Sequence, residues 1–191
     1  PDGRAQLAHG ERRQPLPRSH HRRVVGLKPN GLRRLDCRLE CRGATSVDGQ
    51  SFWMSGNNAN GSIRYATLGA TTSTDISISP TNMRWIDTYK GQLYATSAST
   101  GALAQGVMEI GAGLPTTPGQ TATVLPGFPI NGVFSDGAPY DFWFADDNTL
   151  YVADGAFTGS NCGVQKWTLA GGTWTRQYTI DVGARKQQRM D

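Results

Sequence analysis

Between Thr149 and Ile180 apolar and aromatic residues dominate or alternate in three runs. They are Thr149-Leu150-Tyr151-Val152-Ala153-Asp154, Gly163-Val164-Gln165-Lys166-Trp167-Thr168-Leu169 and Trp174-Thr175-Arg176-Gln177-Tyr178-Thr179-Ile180. Short runs of this kind predict β-strands. Asn148, the Gly155–Gly163 stretch and Gly171-Gly172 supply turn residues between them, so the three are expected to be neighbours in one sheet. Beyond Gly43 no helical periodicity is visible.

The same pattern recurs upstream. Val47-Asp48-Gly49-Gln50-Ser51-Phe52-Trp53-Met54-Ser55 and Tyr89-Lys90-Gly91-Gln92-Leu93-Tyr94-Ala95-Thr96-Ser97 match Asp146-Asp147-Asn148-Thr149-Leu150-Tyr151-Val152-Ala153-Asp154. In each, a polar turn feeds an apolar strand. A Gly-led strand follows: Gly61–Leu68, Gly106–Ile110 and Gly163–Leu169. Less sharp last strands fall at Asp75–Ser79, Ala122–Leu125 and Thr173–Ile180. Preceding strands read at Met83–Thr88 and Tyr140–Ala145, with Trp85 and Trp143 at matching places. The first unit is expected to lack this strand, because it would fall among the arginines before Gly43.

Phe52, Leu93 and Leu150 hold the same place, 41 and then 57 residues apart. A period of about 40 to 50 residues with four strands per unit marks a β-propeller blade. The expected fold is therefore all-β and β-propeller-like, with about three four-stranded blades. Short strands with frequent turns fit a β-sandwich equally well; the internal repeat favours the propeller. The extra length of the second interval falls in Gly111–Pro139, where five prolines predict a long surface loop and a place for a partner.

Charge divides the chain. Of its 191 residues, 1–42 carry 11 of the 19 Lys and Arg but 4 of the 15 acids, whereas 43–183 carry 5 basic and 10 acidic groups. The excess of basic residues thus belongs to the ends. The domains expected are a basic segment at 1–42, a repeat domain at 43–183 and a basic tail at 184–191. The first segment is rich in Arg, Pro and His, starts at Pro1 without Met and cannot bury enough apolar surface to fold. It reads as a disordered arm or as a shifted-frame or fused stretch unrelated to the repeat, and it lacks the apolar core of a signal peptide. Its arginines could neutralise phosphates, but no aromatics alternate with them and the acidic body would oppose nucleic acid. No run approaches the 18 apolar residues of a membrane helix. Three cysteines make no disulfide framework.

Leu150-Tyr151-Val152-Ala153-Asp154 followed by Gly163-Val164-Gln165-Lys166-Trp167 resembles the repeat of NHL-type and related bacterial propellers, whose blades read as a Tyr-Val-Ala-Asp strand, a loop and an Ile-Gln-Lys-Phe strand. The match is good in one blade and loose in two. The resemblance implies a closed ring of more blades, often in secreted or cell-surface bacterial proteins. Three blades cannot close that ring. The chain is then expected to be a piece of a longer protein or to complete the ring with further copies of itself.

Histidine occurs only at His9, His20 and His21, which removes Ser-His-Asp, Cys-His and histidine-based metal chemistry from the repeat domain. Cys37 and Cys41 with His20 and His21 depart from zinc-site spacing. What remains is carboxylates and aromatics. Asp141, Asp146, Asp147 and Asp154 could serve glycoside chemistry or hold calcium with Asn148. Asp146-Asp147-Asn148 also suits a tight turn and Asp154 ends its strand beside Gly155, so turn capping explains the same residues. Trp143 and Trp167 could stack on sugar rings, although most aromatics are expected between blades. The binding candidates are Trp143, Asp146, Asp147, Asp154 and Trp167. The function expected is a non-catalytic binding or interaction scaffold for a protein or glycan, secreted or at the cell surface, needing no cofactor. The other class is a carbohydrate-active hydrolase or lyase using carboxylates, with calcium.

Overall fold

A computed structural model describes residues 40–57, 62–99, 105–129, 137–156 and 162–180. Most of the basic segment, including Cys37 and all three histidines, and the basic tail lie outside them, as do 130–136 of the proline-rich loop. All described residues belong to one compact unit.

Among the described residues twelve strands form three antiparallel four-stranded sheets, each a simple meander in chain order. The first holds β1 (Glu40–Thr45), β2 (Ser51–Asn57), β3 (Ile63–Thr67) and β4 (Thr74–Ser77). The second holds β5 (Met83–Tyr89), β6 (Gln92–Ala98), β7 (Gln105–Ile110) and β8 (Ala122–Val124). The third holds β9 (Pro139–Asp146), β10 (Thr149–Asp154), β11 (Gly163–Ala170) and β12 (Thr173–Ile180). The all-β class and the three four-stranded units stand as expected, with no helix among the described residues. None is long and apolar enough to cross a membrane.

Turn chemistry explains the hairpins. Lys90-Gly91 and Gly171-Gly172 take positive φ at both positions, the form whose twist matches two antiparallel strands. Asp48 Oδ1 accepts hydrogen bonds from the backbone N–H of Gln50 and Ser51, both at 2.7 Å, and Asp146 Oδ1 accepts from Asn148 N–H at 2.8 Å. These are Asx turns, in which a short carboxylate satisfies amides that the ladder has not reached.

Two expectations need correction. The first sheet does have its outer strand: β1 pairs with β2, Ala44 facing Met54, so the repeat begins at Glu40, inside the stretch that reads as basic. Composition hid it, because Cys41 and Arg42 carry no strand signal of their own. At Gly43 a Cβ would come within 2.9 Å of Ser55 Oγ and 3.2 Å of Ile86 N, so glycine lets β1 lie against β5. Second, Trp85 and Trp143 are not equivalent. Thr45, Asp87 and Trp143 face Trp53, Tyr94 and Tyr151 in the three registers, so Asp87 takes the place of Trp143. A register shift between Met83 and Ile86 displaces Trp85, and no sequence alignment reveals such a bulge.

The sheets stack through two apolar layers. Trp53, Ile63 and Ile76 of the first meet Met83, Ile86, Leu93, Ala95, Met108 and Ile110 of the second. Val107 of the second, with Leu125 and Phe128, meets Phe142, Phe144, Leu150, Val152, Trp167 and Trp174 of the third, with Tyr89 and Tyr94 at the margin. The middle sheet is therefore covered on both faces, and its strands β6 and β7 are buried almost throughout. Strands β10 and β11 instead alternate buried and half-buried residues, because only one face is covered.

The proline-rich loop, expected to carry a partner, is used internally along its described part. Trp53 Nε1 donates to Pro115 O at 2.7 Å, Gln120 N–H to Ile76 O at 2.8 Å and Trp174 N–H to Pro126 O at 2.8 Å. One segment of the second unit thus ties down both neighbouring sheets.

Candidate binding pocket

The first strands of the three sheets, β1, β5 and β9, line a pocket of about 400 Å³ bounded by Arg42, Arg84, Trp85, Tyr140 and Asp141. Side-chain hydroxyls set its backbone. Ser55 Oγ on β2 donates to Arg84 O at 2.9 Å, and Thr96 Oγ1, at the same place on β6, donates to Tyr140 O at 3.1 Å while accepting from Trp85 N–H at 2.9 Å. Each hydroxyl anchors the first strand of the following sheet. Ser55 and Thr96 share a register position where the third sheet has Ala153; the matched runs in the sequence set Ser55 opposite Ser97 instead, so only the paired strands reveal it.

The Arg84 guanidinium lies 4.2 Å above the Tyr140 ring, in cation–π contact. Its Nε is buried and without a hydrogen-bond partner among the described residues, a donor whose desolvation only an acceptor would offset. Arg42 donates to Asn82 Oδ1 beside it. Asp141 accepts from Phe142 N–H at 2.7 Å; burial pushes its carboxyl up, that hydrogen bond opposes the shift and the Asp87 carboxylate adds to it. Asp87 is itself held by the Thr45 hydroxyl at 3.0 Å. Two guanidiniums, two aromatic rings and one carboxylate offer stacking surface with donors and an acceptor at its rim.

The five residues singled out in the sequence are divided among separate places. Trp143 is 63% exposed, two residues along β9 from Asp141 on the same face, and stacks on Tyr151 with 6.0 Å between ring centroids. Asp146 caps its turn. Asp147 stands at a second cleft of about 290 Å³ between the second and third sheets, where Tyr89 Oη donates to it at 2.9 Å and the Lys90 ammonium lies 2.6 Å away. Lys90, then Tyr89, hold the Asp147 carboxyl low. In the same cleft burial, with the Glu109 carboxylate, pushes the Tyr94 phenol up to about 12, so it stays protonated. Asp154 and Trp167 come together, but inside the protein: Asp154 Oδ1 accepts from Ala138 N–H at 2.9 Å and Ala156 N–H at 2.8 Å, and Trp167 stacks on Phe128 at 4.1 Å. Trp53, Trp167 and Trp174 are all buried, as packing between sheets requires.

Among the described residues no group of three or more His, Cys, Asp or Glu side chains converges as metal ligands would. Comparison with protein-family models, with curated proteins and with solved structures found no match to this chain.

Proposed function

We propose that this chain is a non-catalytic binding scaffold of β-propeller type, acting outside the cell or at its surface, whose pocket on β1, β5 and β9 takes a polar, hydroxyl-rich ligand such as a glycan. Support for the propeller comes from the repeat and from the way β5 packs against β1 and β9 against β5, first strand against first strand, while the sheets stack face to face. The observation that carries the ligand reading is the pocket itself: Tyr140, 43% exposed, the orphaned Arg84 Nε and the Asp141 carboxylate line it, and Trp143, 63% exposed, stands two residues along β9 from Asp141. Sugar rings are recognised by such pairs, apolar faces on aromatics and hydroxyls on charged groups.

A glycan array with the intact chain should yield a hit whose affinity falls roughly three- to tenfold in Tyr140→Ala or Trp143→Ala, the size of one aromatic contact. An array without hits, or affinities indifferent to both changes, would return the pocket to a purely structural role. One observation favours a second reading, a carbohydrate-active hydrolase: Asp87 and Asp141 act on each other beside the pocket, and Asp141 is already pushed up as a general acid must be. Asp141→Asn separates the two. Binding without turnover in both parent and variant supports the scaffold; product formation that Asp141→Asn abolishes supports the enzyme. A calcium titration that raises the unfolding midpoint would add calcium to that second reading.

A further inference from the structure

Glu109 stands on the face of β7 that packs toward the third sheet, two residues from the buried Val107 and directly across from Tyr94 of β6. It is half-buried, and a carboxylate drawn out of water on such a face is ordinarily matched by a positive charge. None is supplied. Among the described residues Glu109 makes no ion pair, and its one hydrogen bond, donated by Tyr94 Oη, is long at 3.5 Å. Burial, then the Glu109 carboxylate, pushes the Tyr94 phenol up to about 12, so the charge of this pair is that of Glu109.

Both residues line the cleft of about 290 Å³ between the second and third sheets. Phe144 gathers the other rings of its lining: Tyr89 stacks on it at 4.7 Å, Tyr94 leans toward it at 4.8 Å and Trp174 meets it edge-on at 5.9 Å. The exposed edge of the same cleft shows how a carboxylate among these rings is satisfied. There Tyr89 Oη donates to Asp147 at 2.9 Å, while the Lys90 ammonium lies 2.6 Å from that carboxylate and 5.6 Å from the centre of the Tyr89 ring. Tyrosine, carboxylate and ammonium form one set. Tyr94 and Glu109 repeat its first two members, phenol to carboxylate, and among the described residues the third is missing. Lys90 is already matched by Asp147, so the charged side chains of the lining leave one negative charge over.

We infer that this cleft binds an aliphatic primary ammonium, free or at the end of a lysine side chain, with its charge on Glu109 beside Tyr94 and its methylene stem against Leu125, Leu169 and Trp174. An ammonium gains from the rings as well as from the carboxylate, and more so where water is thin. An anion would meet Glu109 and Asp147. A neutral apolar ligand would bury the Glu109 charge and leave it unpaired. The volume lies at the lower end of the range for small-molecule sites, roughly 300–1,000 Å³, which suits a side chain or a small amine. The cleft shares no lining residue with the pocket on β1, β5 and β9, and the inference holds whatever that pocket takes.

Calorimetric titration of the intact chain with n-butylammonium, butan-1-ol and butyrate across the millimolar range tests it. Butylammonium should bind and the other two should not. Glu109→Gln keeps the shape of the side chain and should weaken butylammonium at least tenfold, with unchanged near-ultraviolet circular dichroism as the check on folding. Lys90→Asn should tighten it, because a neighbouring ammonium is removed while asparagine suits the positive φ of that turn. A capped Gly-Lys-Gly peptide separates the two sources. Affinity at least tenfold above that of butylammonium identifies a lysine side chain as the occupant; equal or lower affinity identifies a free amine. No binding of any probe, equal binding of butylammonium and butan-1-ol, or a preference for butyrate would overturn the inference. So would butylammonium binding that is indifferent to Glu109→Gln or weakened by Lys90→Asn.

Discussion

Trp167→Ala is expected to cost about 3–5 kcal/mol, the range for removing a large aromatic from a core whose walls relax only in part. Trp167 is 5% exposed and sits among Phe128, Leu150, Val152 and Trp174, so little can collapse into the space it leaves. Its ring lies 4.1 Å from that of Phe128, nearly parallel, and its Nε1 donates to Gln165 Oε1 at 2.9 Å. The second consequence is less obvious. Phe128 belongs to the proline-rich segment, whose Pro126 O accepts from Trp174 N–H, so losing Trp167 should free one anchor of that segment. Chemical denaturation should report the stability loss, and a fall of roughly 10 °C in the unfolding midpoint is expected for a domain of this size. Limited proteolysis should find new cuts between Gly111 and Pro129. Phe128→Ala and Trp167→Ala should be non-additive by about 0.5–1.5 kcal/mol, the worth of a stacked pair. Strict additivity with an unchanged cleavage pattern would show that the loop is held elsewhere.

At Asp154 the expectation is opposite for two substitutions. Asp154→Ala removes the acceptor of two backbone N–H groups, those of Ala138 and Ala156, and should cost about 2–4 kcal/mol because buried donors left unpaired bear their full desolvation penalty. Asp154→Asn keeps an oxygen for both and no longer buries a charge. It should match or exceed the parent at neutral pH.

The pH dependence separates the causes. Burial pushes the Asp154 carboxyl up, although the bonds from Ala138 and Ala156, the Gln165 side chain and the Arg176 charge all pull it down. With the folded value above the ordinary one, the native state binds a proton more readily than the unfolded chain, and this group favours folding at acid pH. That contribution fades as pH rises from the ordinary value through the folded one and is gone above it. The difference in stability between Asp154→Asn and the parent should thus move in favour of the variant across that window and then level off. Denaturation at a series of pH values measures it; a flat difference would mean that the N–H bonds cancel the burial.

Much of this fold was legible in the chain. Leu150, Val152 and Trp167 declare a strand pair by alternation; Asp48, Asp146 and Gly171-Gly172 declare the turns, because those residues satisfy or permit backbone conformations that others resist. The repeat exposed Phe52, Leu93 and Leu150 as equivalent, and the same spacing holds for the next residues Trp53, Tyr94 and Tyr151, which face Thr45, Asp87 and Trp143 on the strand before. The candidate pocket was much less visible. Arg42, Arg84 and Tyr140 follow no motif, for they belong to three strands whose proximity exists only after stacking, and Asp141 was noticed for its neighbours in sequence rather than for Asp87.

Asp154 and Trp167 show where sequence and tertiary structure divide. Alternation along a strand states which residues share a face, since side chains point to opposite sides at every step, and so the chain alone determined the eleven strands from Val47 onward and their apolar faces. It does not state what covers a face. Whether Trp167 and Trp143, both aromatic and both on the third sheet, meet a core or solvent depended on the second sheet lying on one side only, and on a proline-rich segment folded back to cover the first of them. Burial is a property of the partner surface, and partner surfaces are assembled from residues far apart in the chain.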